Sequence, residues 1–296
     1  MMNGIPKAVS GCGNFLFKLS GITIFVIAII VSSGKDVMAN NTELIESSVL
    51  NGELSKWVVL DARPKSEWVG GHIPGAVSLS WDNFTRTDGK GIPFKVWPPE
   101  ELAAALGEMG ISEQTPIVIY GDADKSSGGE GWDVWMFTWM GHKGPIRLLS
   151  GGIQAWRNRN LPVTTDAGKE KPARMNYAFT LQPQFDISTA EIEQKKSSLS
   201  LIDTRSMSEW LLGRIPGATH IQWTEFFTGP ERRPLNAAEL AKLLKDNGVD
   251  TAKPIVYYCR GGIRSGYAWM VHRLSGLPDA RNYEGGMEAW RKLSTR

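Results

Sequence analysis

The run Ile255-Val256-Tyr257-Tyr258-Cys259-Arg260-Gly261-Gly262-Ile263-Arg264-Ser265 holds the residue types best suited to chemistry. Its first four residues, β-branched and aromatic, read as a buried strand. The basic, glycine-rich turn after Cys259 leads into a helical pattern starting near Ser265. Strand, tight loop and helix N-terminus in succession aim several backbone N–H groups, and the positive end of a helix dipole, at one point. A thiol at the head of such a loop is stabilised as its thiolate, and the loop itself suits an anion. Cys259 is therefore the candidate nucleophile. Arg260, Gly261, Gly262, Ile263 and Arg264 are the candidate substrate-binding loop. A lone cysteine at a strand end usually reads as structural, but two glycines and two arginines beside it reverse that reading.

What must position this loop is a chain of 296 residues with a formal net charge of +2. That length suits two ordinary domains, and the near-balanced charge gives no argument for a nucleic-acid partner. Twelve tryptophans, all beyond residue 56, imply well-filled cores. No histidine spacing suggests a metal ligand set, and no cofactor is implied. At the N-terminus, Lys7 and Lys18 precede an uncharged stretch over residues 19–34, and Val37-Met38-Ala39 follows. Residues 1–39 thus read as a secretory signal cleaved after Ala39, which places the chain in an exported, periplasmic setting. An uncleaved anchor over residues 19–34 is the alternative, although its apolar centre is short against the ~20 residues a spanning helix needs. With Cys12 inside the signal, the mature chain keeps Cys259 alone and has no internal disulfide.

The chain contains itself twice. Val58-Val59-Leu60-Asp61-Ala62-Arg63, Glu67-Trp68 and Gly71-His72-Ile73-Pro74-Gly75-Ala76 return as Leu201-Ile202-Asp203-Thr204-Arg205, Glu209-Trp210 and Gly213-Arg214-Ile215-Pro216-Gly217-Ala218. Pro116-Ile117-Val118-Ile119-Tyr120 matches Pro254-Ile255-Val256-Tyr257-Tyr258, and Gly151-Gly152-Ile153-Gln154-Ala155-Trp156 matches Gly285-Gly286-Met287-Glu288-Ala289-Trp290. Copies this long are duplicated domains rather than solenoid units. Short apolar strands alternate with helices, such as one opening at Pro98-Pro99 and one capped by Asn236. That alternation predicts an α/β fold with a mostly parallel central sheet in each copy, flanked by helices. The domains fall at 40–165 and 185–296, joined by a polar, aperiodic linker at 166–184.

These residues resemble the rhodanese family of sulfurtransferases in its tandem-domain form. Four motifs carry the resemblance: Asp-x-Arg-x-x-x-Glu-Trp, Gly-x-Ile-Pro-Gly-Ala, the strand-borne loop, and Gly-Gly-x-x-Ala-Trp. The resemblance implies that Cys259 takes the outer sulfur of a donor such as thiosulfate, becomes a persulfide, and passes the sulfur to cyanide or a thiol. It also implies a six-residue active loop from Cys259 to Arg264 whose amides stabilise the sulfur anion. Arg260 and Arg264 add positive charge where an oxyanion would dock.

The first copy departs at the decisive position. Ungapped alignment of the strands places Gly121 where Cys259 stands, and the acidic run Asp122–Gly131 reads as a flexible loop. That domain is expected to be catalytically silent, to wall one side of the cleft over Cys259 and shield it, and to offer a surface to a protein partner. A second departure is Glu209, which stands where well-known tandem enzymes carry a donor-gripping arginine. Thiosulfate or a persulfide is accordingly favoured over mercaptopyruvate. Asp203 and Arg205, with Asp61 and Arg63 in the silent copy, read as scaffold, as do Glu67 and Glu209. Trp81, Trp97 and Trp223 fill core or line the pocket. Two rivals remain. A phosphatase of related architecture needs five residues between cysteine and arginine, where Arg260 to Ile263 supplies four. A non-catalytic binding module has no need of the complete loop.

Overall fold

The computed structural model describes residues 40–166, 173–278 and 280–294. The expected signal, with Cys12 and the apolar stretch at 19–34, lies outside these described residues.

The first half runs β1 (Thr42–Ile45), α1 (Ser47–Glu53), β2 (Val58–Asp61), α2 (Lys65–Val69), β3 (Val77–Ser78), β4 (Thr85–Arg86), β5 (Lys95–Val96), α3 (Pro99–Glu108), β6 (Ile117–Tyr120), α4 (Ala123–Ser126), α5 (Gly129–Trp139), β7 (Ile146–Leu149) and α6 (Gly152–Asn158). The second repeats it with α7 (Thr189–Lys195), β8 (Ser200–Asp203), α8 (Met207–Leu211), β9 (Thr219–His220), β10 (Phe227–Thr228), β11 (Arg233–Pro234), α9 (Ala237–Asp246), β12 (Ile255–Tyr258), α10 (Ile263–Ser275), β13 (Ala280–Tyr283) and α11 (Gly286–Leu293).

Each half is built on a parallel sheet, in the order β1-β7-β6-β2-β3 and β13-β12-β8-β9. The central strands β6 and β12 are buried along their whole length, as their unbroken apolar runs require when helices cover both faces. Helix signals sit where the sequence puts them. Asn236 caps α9 through Ala238 and Glu239, with Glu239 closing a capping box. Prolines open α3, and Gly110 beyond its end takes φ +76°. Two short antiparallel hairpins, β4–β5 and β10–β11, stand outside the sheets.

Between the halves the chain is a strap. Over 173–182 it has no regular structure, yet its N–H groups bond to the first half: Met175 to Gly107 O (2.9 Å), Thr180 to Met140 O (3.1 Å) and Gln182 to Trp139 O (2.8 Å). Tyr177 stacks on His142 beneath it, and burial holds the His142 ring down at about 4.

A single apolar cluster spans both halves and includes Trp132, Trp135, Tyr257, Tyr267 and Trp269, with Trp81, Trp97 and Trp223 packed against it. Its centre is the crossing of α5 and α10. At Gly131 a Cβ would stand 2.8 Å from the Tyr267 nitrogen. At the corresponding Gly266 it would stand 2.9 Å from Trp132 Cα. Each helix thus presents a bare backbone to the other. Gly131→Ala should destabilise the protein by about 3 kcal/mol through overpacking against backbone. Gly52→Ala, in α1 with nothing within 4 Å, should be neutral or slightly stabilising; urea unfolding of both variants checks the contrast.

Candidate active site

Strands β6 and β12 hold the same place in their sheets, so the residues that follow them correspond. These are Gly121 in one half and Cys259 in the other. Asp61 pairs in register with Tyr120, and Asp203 with Tyr258. In both halves the ends of these strands are locked by a buried ion pair. Asp203 accepts from the Arg205 backbone N (3.0 Å) and from its guanidinium (2.5–3.1 Å), while Arg205 Nη2 also donates to Gly213 O at 2.7 Å. Asp61, Arg63 and Gly71 repeat this arrangement. Asp61, Arg63, Asp203 and Arg205 are all at most 2 % exposed. A buried pair is favourable only when further hydrogen bonds support it; here each Nη2 also donates to a backbone carbonyl, Gly213 O or Gly71 O, and Arg63 Nη1 lies 4.0 Å from the Glu67 carboxylate. The pairs belong to the scaffold.

Cys259 is a free thiol, 1 % exposed. The carbonyls of Cys259 and Arg260 are taken by the first amides of α11, Met287 N at 2.8 Å and Glu288 N at 3.1 Å. Gly262, at φ +86°, turns the chain into α10, a conformation that glycine adopts without strain. The helix starts at Ile263, two residues ahead of the expected Ser265. Among the described residues, the N–H groups from Arg260 to Ser265 take no acceptor. They are the donors that the sequence expects to serve a sulfur anion.

The two loop arginines are not free cations. Arg264 donates both Nη atoms to Glu209, at 2.6 and 2.9 Å. Its hydrogen bonds hold the Glu209 carboxyl down at about 2 against partial burial. Burial works against the Arg264 charge, but Glu209 and then the neighbouring Cys259 sulfur bind its proton more firmly than usual. Arg260 donates to Glu288 at 2.6 Å and lies over the Phe94 ring, 5.1 Å from its centroid. Glu209 has a second contact beyond its scaffold role. Its Oε2 accepts from Ser206 in the capping box and from Arg264 Nη1, and its Oε1 accepts from Arg264 Nη2.

Phe94 escaped sequence analysis. It sits at φ +63° in the segment between β4 and β5, pressed on the loop so that a Cβ at Gly261 would stand 2.6 Å from Phe94 Cβ. Trp81 meets the Phe94 ring edge-on at 6.2 Å. Glu284, buried behind Gly262, fastens this segment by accepting from Val96 N at 2.6 Å and pairing with Lys95. The second half returns the gesture. Arg232, at φ +55°, reaches Asp124 at 3.2 Å, and Arg233 reaches Ser150 at 2.7 Å. No local signal marks Phe94, because its partner lies in the other half.

In the first half the expected flexible loop is ordered as α4 and α5. Asp122 caps α4, and its carbonyl accepts Lys125 N (2.8 Å) and Ser126 N (2.7 Å). The bowl is filled from within. A Cβ at Gly121 would stand 2.5 Å from the Glu130 carboxyl carbon, and Ser126 Oγ donates to that carboxyl. Burial pushes Glu130 up to about 7.

A scan against family models matches the rhodanese-like domain at residues 48–159 and again at 188–293. The sulfur carrier protein TtuD of Thermus thermophilus is 30% identical over 252 residues, covering 75% of this chain and 83% of TtuD. The thiosulfate sulfurtransferase of Bos taurus is 27% identical over 277 residues, covering 84% and 90%. Among solved structures, Escherichia coli SseA, described as a 3-mercaptopyruvate sulfotransferase of rhodanese fold, superposes with a TM-score of 0.74. It is 21% identical, over 83% of this chain and 98% of SseA.

Two outcomes follow from this geometry. Phe94→Ala should speed alkylation of Cys259 by iodoacetamide several-fold, measured by mass against time. Glu130 has its folded value raised from 4.5 to about 7. Its contribution to stability is complete below about 4.5 and is lost as pH rises through about 7. Glu130→Gln should then be more stable than the wild type at pH 8 by roughly 3 kcal/mol. The difference should close as pH approaches 4.5 in a series of thermal melts.

Proposed function

The chain belongs to the rhodanese-like family in both of its halves, and from that premise we propose that its second half transfers sulfane sulfur through a persulfide on Cys259. Its relatives' names describe a sulfur carrier and a sulfurtransferase. The observation that carries the assignment is the buried, free Cys259 at the head of a loop whose six successive N–H groups have no other acceptor among the described residues.

In the first half-reaction the Cys259 thiolate attacks the outer sulfur of thiosulfate or a persulfide. The donor's S–S bond breaks, a Cys259–sulfur bond forms, and sulfite or a thiolate leaves with the electron pair. In the second, cyanide or a thiol attacks the terminal sulfur, and Cys259 returns as thiolate. Charge resides on sulfur in both steps, where fixed N–H donors are most effective because they need no reorganisation. Arg264 stands beside the same sulfur. The substrate-binding roles of Arg260, Gly261, Gly262, Ile263 and Arg264 belong to this proposal. So does a protein as final acceptor, which the name of the Thermus relative supports. Export to the periplasm, with residues 1–39 as its signal, completes the reading.

Intact mass of the purified protein tests it. Incubation with thiosulfate, polysulfide or an alkyl persulfide should add one sulfur atom, cyanide should remove it, and Cys259→Ser should never acquire it. No mass gain from any of these donors would leave a binding module as the better description.

A further inference from the structure

Each cation beside Cys259 is answered by a carboxylate. Arg260 is paired with Glu288 and Arg264 with Glu209, so the four charges cancel. A thiolate at Cys259 then leaves these side chains with one net negative charge. The attraction that remains for an anion is that of the loop amides, which are dipoles rather than full charges. The Arg264 fork, the part of the site shaped to take two oxygens of an oxyanion, is already closed on Glu209 Oε1 and Oε2, at 2.9 and 2.6 Å. Glu209 itself is held in place by the Ser206 hydroxyl and backbone N–H. The wall over the loop is the apolar ring of Phe94, and Cys259 is 1 % exposed. A donor must therefore shed its water to react, and desolvation costs a dianion far more than a monoanion.

We propose that Glu209 is the specificity-determining residue of the sulfur-loading step. By closing the Arg264 fork it sets the site for a singly charged sulfane donor, a low-molecular-weight alkyl persulfide, in preference to dianionic thiosulfate. This rests on the sulfurtransferase reading and names its donor class. The step balances: R–S–S⁻ and the Cys259 thiolate give the Cys259 persulfide anion and R–S⁻. One S–S bond breaks as another forms, and no oxidant or reductant is needed. The alkyl group of such a donor would lie against Phe94.

The test is the rate of loading of Cys259 in the full chain, read by intact mass over a range of glutathione persulfide and of thiosulfate concentrations. The wild type should load faster from the persulfide. Glu209→Gln keeps the shape of the side chain and releases Arg264 from a full negative charge. It should shift the thiosulfate-to-persulfide ratio of second-order rate constants at least ten-fold toward thiosulfate. Most of the gain should appear as a lower thiosulfate concentration at half-saturation. The wild type provides a second arm that needs no variant. Added NaCl screens charge, so loading by thiosulfate should accelerate if the site repels a dianion and slow if a cation grips it. An unchanged donor ratio in Glu209→Gln, or thiosulfate loading that slows with salt, overturns the proposal. Failure of the wild type to load from either donor would instead overturn the sulfurtransferase reading, and this inference with it.

Discussion

Two helices approach here as closely as backbone allows, and the rest of the molecule is arranged around that approach. Gly131 in α5 lies against Tyr267 of α10, and Gly266 in α10 lies against Trp132 of α5. Each glycine precedes the large aromatic residue that covers the other. The close crossing joins two separate parallel sheets through one continuous core. It also sets the distance at which each half reaches the other's strand-end loop: Phe94 over Gly261 in one direction, Arg232 against Asp124 in the other. A side chain at either glycine would push the halves apart and lift Phe94 from the Cys259 loop.

Within this reciprocal frame the two halves have diverged chemically while keeping the same scaffold. The buried Asp–Arg pair that locks the strand ends is present in both, because both sheets need their strand ends and following turns held. The loop after the central strand is where they differ. In the second half its amides take no acceptor among the described residues, and in the first an additional short helix consumes several of them. Glu130 then occupies the space a cysteine side chain would need. Burial raises its proton affinity, so the first-half bowl is filled by a carboxyl that holds its proton more firmly than an exposed glutamate does.

Much of the Cys259 loop was legible in the sequence because its signals are local. An apolar run ending at Cys259, a glycine able to take φ +86° at position 262, and a helical pattern beyond it define strand, turn and helix N-terminus without reference to distant residues. The duplication was equally legible, and with it the correspondence of Gly121 to Cys259. The loop's charge was not. Arg260 and Arg264 read as free cations in the sequence, yet Glu288 and Glu209 neutralise them from 28 and 55 residues away.

By itself the sequence determined the strand–loop–helix setting of Cys259, the two α/β repeats, the helix caps and the absence of a thiol at the matching position of the first repeat. All of these follow from residue type and short-range spacing, which act through backbone dihedrals and periodic burial. The tertiary structure alone decided which carboxylate meets which arginine, that Phe94 covers the loop, and that an acidic run expected to be mobile packs as helices with a buried glutamate. Those outcomes depend on how two sheets dock across a pair of glycines. Coulombic pairing and desolvation are set by distance in space, and no periodicity along the chain records it.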